Sequence, residues 1–114
     1  MDIEVKEWIE NYIKEKELEE SDFSIFENIV KRWEKFGSIS FEMFDYEDGG
    51  NIYYNSKCEV IFYTTSIFEG SYYDDKVEVL EAYEKSDGSA LSFLKFANDN
   101  DVLEFLLDEY SEEN

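Results

Sequence analysis

The apolar residues of this chain change their spacing once, near Gly37, and that change decides what it can fold into. Before it they recur at intervals of three and four. Val5, Trp8, Ile9, Tyr12 and Ile13 form one stripe, which predicts a helix over residues 2–17 with a solvated face that pairs Glu10 with Lys14. A polar break follows at 17–22. Ser24-Ile25-Phe26-Glu27 then matches a capping box, and Phe26, Ile29, Val30 and Trp33, extended to Phe36, predict a second buried stripe. Gly37 suits the position just past its end.

From Ser38 the period is two. Ile39, Phe41 and Met43 alternate with Ser40 and Glu42, the pattern of a strand with one covered face. Asp48-Gly49-Gly50-Asn51 predicts a hairpin turn. Residues 51–54 and 58–65 read as strands around a turn or bulge at 55–57. Residues 69–75 read as an exposed connection, 76–84 as a strand with Val77 and Val79 opposite Glu78, and Ser86-Asp87-Gly88 as a turn. Residues 90–97 fit a further strand or the start of a helix. A last helix, capped by Asn98 or Asp99, carries Val102, Leu103, Phe105, Leu106 and Leu107, and residues 111–114 read as a frayed tail. The expectation is one α+β domain over 1–114: two N-terminal helices, an antiparallel β-meander of four or five strands, and a C-terminal helix.

Composition narrows the chemistry. The chain has 114 residues, 43% hydrophobic and 18% aromatic, which is enough for a core. There is no His and one Cys, Cys58. Zinc sites, Ser-His-Asp triads and Cys-His nucleophiles therefore lack their residues, and Cys58, beside Val60, Ile61 and Phe62, reads as an inert core thiol. Trp8 and Trp33 read as core. Asp74-Asp75, or Asp45 with Glu47, are candidate acid/base pairs, but pairs are inevitable among 30 acids. Asp99-x-Asp101 with Glu104 lacks the Gly and the later acid of an EF-hand, so helix capping is the simpler reading. No enzyme activity, cofactor or metal is expected. Met1-Asp2-Ile3-Glu4 is too acidic for a signal peptide, no apolar run spans a membrane, and the lone thiol fits a reducing cytoplasm. Abundant Phe, Tyr, Ile, Asn and Lys, with AT-rich codons, point to an AT-rich bacterium or its phage.

The charge carries the functional argument. Thirty acids face ten cations, for a net charge of -20. Residues 71–114 hold 13 acids and 3 bases, half of the excess. A chain of this size is expected to expose roughly 6,600 Å², about 330 Å² per net charge, against about 110 Å² for duplex DNA. Concentrated on one face, the excess approaches DNA's density, and direct binding of nucleic acid is nearly excluded. Asp101, Glu104, Asp108 and Glu112 step by three or four residues along the predicted last helix, with Glu109 beside them. Asp45, Glu47 and Asp48 lead into the Gly-Gly turn. Tyr72, Tyr73, Asp74 and Asp75 set tyrosine anchors beside charge, and Glu78, Glu81 and Glu84 follow. Carboxylates two apart on a strand lie about 6.6–7 Å from each other, near the separation of successive phosphates.

In size, charge, aromatic content and these acid ridges the chain resembles a class: the small acidic proteins that phages use against host defences, anti-CRISPR proteins and anti-restriction DNA mimics. The resemblance implies a monomer or homodimer that occupies the nucleic-acid groove of a CRISPR effector complex or restriction enzyme in the host bacterial cytoplasm. The same electrostatics also fits an immunity protein or antitoxin against a basic toxin nuclease. A small acidic chaperone with an apolar patch, or acids that only keep the domain soluble, are further readings.

Overall fold

The computed structural model describes residues 1–43, 48–54, 60–68, 71–72, 78–83 and 87–111. Helix α1 spans Ile3–Glu15, and the Asp2 side chain caps it by accepting from the Glu4 N–H at 2.9 Å. Helix α2 spans Asp22–Phe36, starting earlier than the capping-box pattern predicts. Ser24 lies inside the first turn, and its hydroxyl donates back to the Ser21 carbonyl at 2.9 Å. Gly37, at φ 63, ends α2 by donating its N–H to the Trp33 carbonyl at 2.8 Å.

The strands are β1 (Ser38–Met43), β2 (Asp48–Tyr54), β3 (Val60–Phe68), β4 (Ser71–Tyr72) and β5 (Glu78–Tyr83). Strand β1 pairs with β2, and β2 with β3, all antiparallel, with Ile39, Ile52 and Phe62 in one row. Two helices follow: α3 (Ala90–Asp99) and α4 (Leu103–Ser111).

This arrangement corrects the expected one. The class is α+β, but there are four helices among the described residues, two of them after the sheet. A regular meander runs only through β1, β2 and β3. Strand β4 pairs two residues at the end of β3, and β5 returns to β3 rather than to β4, with a bulge between Phe62 and Tyr63. Residues 90–97 are helical because Ala90, Phe93, Leu94 and Ala97 fill one helical face, which is buried. Ser89, whose hydroxyl oxygen accepts from the Ser92 N–H at 3.2 Å, caps that helix. Asn98 and Asp99 close α3 and do not cap α4. Asp48-Gly49-Gly50 is strand, paired with Met43, Glu42 and Phe41, and not the hairpin turn expected there.

The helices pack on the sheet face that carries Ile39, Phe41, Ile52, Val60 and Phe62, which join Phe26, Ile29, Trp33, Phe93, Phe96 and Leu106 in one core. Phe41 stacks between Phe62 and Phe105, with centroids 6.0 and 6.4 Å away. Trp33 lies flat on Phe93 at 4.4 Å and donates its Nε1–H to the Gly88 carbonyl at 2.8 Å, pinning the entry to α3 onto α2. Each such side chain contributes roughly 1.5–3 kcal/mol by leaving water. Among the described residues no polar or charged residue is buried. Two sequence expectations change here. Phe36 is 62% exposed, and Trp8 is half-buried at the surface, stacked on Tyr12 at 5.5 Å.

Candidate acidic interface

Ten cations cannot neutralise thirty acids, so at least twenty carboxylates lack a cation whatever the side-chain arrangement. The molecule exposes 7519 Å². Shared among 20 net charges this is about 380 Å² each, between a quarter and a third of the density of duplex DNA. On α1 Lys6 pairs with Glu10 at 4.0 Å with both side chains exposed, in place of the expected Glu10–Lys14 pair. Pairs of that kind contribute little.

Of the predicted contact residues, Glu104 and Asp108 lie on α4, four residues apart and exposed. They are about 6 Å apart along the axis, so they form a short ridge. Asp101 is not on this helix. It occupies the left-handed region, at φ 57, in the joint between α3 and α4, where its N–H donates to the Asn98 carbonyl at 3.1 Å. Glu109 is half-buried, and Glu112 lies outside the described residues. The ridge is thus shorter than the sequence spacing implies, because the chain breaks helix at 100–102.

Glu104 reaches toward the end of α1. Burial first, and then the Glu104 charge, raise the Tyr12 phenol above its ordinary value of 10.0. Tyr12, Lys16, Asp101 and Glu104 share the wall of one depression, and Lys16 places a cation among these acids.

The β-region candidates divide. Asp48 opens β2 opposite Ser66, Glu78 opens β5 opposite Thr64, and Tyr72 in β4 stands opposite Ile67. The register brings these three to the same end of β3, with Asp48 and Glu78 two strands apart, roughly 10–12 Å between backbones. Glu81 lies further along, opposite Phe62. Asp45, Glu47, Tyr73, Asp74, Asp75 and Glu84 lie outside the described residues, as does Cys58.

One group of acids escapes a reading by segments. Asp2 and Glu4, Glu34, and Asp87 come from three places in the chain yet line one shallow depression, together with Lys95. Asp87 accepts from the Ser89 N–H at 3.0 Å and from the Ser92 hydroxyl at 2.9 Å. These bonds, the Ser89 backbone one foremost, hold its carboxyl below its ordinary value. The Ser86-Asp87-Gly88 sequence announced a turn but not this gathering.

Among the described residues no three acids or thiols are placed to hold a metal ion, and no helix is long and apolar enough to cross a membrane. Compared with protein-family models, with curated proteins and with solved structures, the chain matches none.

Proposed function

We propose that this protein is a non-enzymatic inhibitor that offers carboxylates where a nucleic-acid-binding protein expects phosphates, acting in a bacterial cytoplasm on a defence effector of the CRISPR or restriction type. The observation that supports this most is the charge: twenty uncompensated carboxylates on a folded domain of 114 residues. Self-repulsion at that level opposes folding, which gives the acids a cost that solubility alone does not require. A groove already lined with Lys and Arg would attract such a surface quickly and in a salt-sensitive way.

The test is Glu104→Lys with Asp108→Lys. Both positions are exposed, so the fold is expected to survive while inhibition of the target nuclease is lost. Retained inhibition removes α4 from the interface. The target is sought by capture from host lysate with salt elution. Release of an effector subunit by moderate salt and by competing DNA supports mimicry, whereas one small basic toxin that resists salt supports the immunity-protein reading.

A further inference from the structure

We infer a second docking surface, made of residues other than those of α4: the groove between the end of α1 and the start of α2, which takes a cationic amphipathic segment of a partner protein. Its floor is Ile13, Leu18 and Phe23, each half-buried and packed inward against the core. The open volume above them is about 500 Å³, inside the range of about 300–1,000 Å³ usual for ligand clefts.

The chain builds this floor rigidly. Leu18 N–H donates to the Ile13 carbonyl at 2.9 Å and Glu17 N–H to the Lys14 carbonyl at 3.3 Å, with Glu17 at φ 55. That closure brings Leu18 over Ile13, as such helix ends do. Phe23 arrives from the next helix and widens the contact into a cleft. At the far side the Asp22 carboxylate accepts from the Glu19 N–H at 3.0 Å and fixes the turn. A floor held this way loses little freedom when it is filled.

Charge selects the occupant. Glu10, Lys14 and Glu20 rim the groove, and residues 10–23 as a whole hold six acids and two lysines. Nucleic acid is repelled. A second copy would bring -20 against -20 at the contact. What fits is a segment with apolar side chains one helical turn apart and Lys or Arg beside them, the helix-in-groove mode of recognition.

The probe is a fluorescent peptide of roughly 14 residues, four helical turns, with Leu at every third and fourth position and Lys elsewhere. An oligolysine peptide of equal charge is the control, because a protein this acidic attracts any cation. Anisotropy titration of the full chain in about 150 mM salt is expected to show the amphipathic peptide binding at least about tenfold more tightly. Leu18→Ser and Phe23→Ser are expected to remove that excess and leave oligolysine binding unchanged, with circular dichroism confirming the fold. Backbone amide shifts in the unaltered protein are expected to map to residues 10–23. Equal affinity for the two peptides, an excess that survives both substitutions, or shifts that map elsewhere would overturn the assignment. So would a concentration-dependent dimer in sedimentation that Leu18→Ser abolishes, since the occupant would then be a second copy.

Discussion

Two acids, Glu17 and Asp101, hold left-handed backbone at φ 55 and 57, each just past the end of a helix where glycine is preferred. Side chains other than glycine are strained there. Glu17→Gly and Asp101→Gly are therefore expected to stabilise the fold by about 0.5–1 kcal/mol each, measured by urea unfolding. Gly88, at φ 69, shows the opposite case. A Cβ there would lie 2.9 Å from the Tyr54 ring, so Gly88→Ala is expected to destabilise by about 2 kcal/mol or more in the same assay. Tyr12 supplies a pH prediction. Its phenol is raised above 10.0, so the folded state holds that proton more firmly than the unfolded chain does. The stability this contributes is complete below pH 10 and is lost as pH rises through the folded value. A spectroscopic titration of phenolate is expected to lose a component above pH 10 in Tyr12→Phe. Of these features sequence alone announces little. Gly37 was legible as a helix end, but nothing in Glu17 or Asp101 as residue types signals a left-handed position.

Among the elements, helices were read well where their stripes were unambiguous. Val5, Ile9 and Tyr12, and then Phe26, Ile29, Val30 and Trp33, are the buried faces of α1 and α2. The reading failed where two signals competed. At 48–50 turn chemistry pointed to a hairpin corner, yet these residues pair with Phe41, Glu42 and Met43, and the register of the covered face outweighed glycine's preference for turns. At 90–97 Leu91, Phe93, Leu94 and Phe96 filled both strand parities, and only the buried set Ala90, Phe93, Leu94, Phe96 and Ala97, spaced by three and four, shows the helical period. Sequence also gave no hint of what protects β1, an edge strand. The Tyr110 hydroxyl on α4 donates to the Ser40 carbonyl at 2.8 Å, beneath the Arg32 guanidinium 4.8 Å from its ring. Tyr110→Phe is expected to cost about 1 kcal/mol by thermal or urea unfolding, and to raise the aggregation rate on heating.

At the scale of the whole molecule, self-repulsion dominates. A net charge of -20 predicts a melting temperature that climbs by several degrees between about 20 mM and about 500 mM sodium chloride, readable by calorimetry. No change over that range would mean that the carboxylates are already screened from one another. The excess charge was legible from composition and the Glu104–Asp108 ridge from spacing, whereas the second group was not, because Asp2 and Glu4 meet Glu34 and Asp87 only after folding. The two tryptophans bear on how any of this would be observed. Trp33 is 2% exposed and stacked on Phe93, while Trp8 lies half-buried on α1. The chain thus holds two optical reporters in different surroundings. Emission from Trp33 is expected to stay blue until the core melts, and that from Trp8 to respond to neutral acrylamide but weakly to iodide, which the surface repels. Loss of acrylamide quenching on adding a partner, with the blue band unmoved, would place the contact at α1 in a single cuvette.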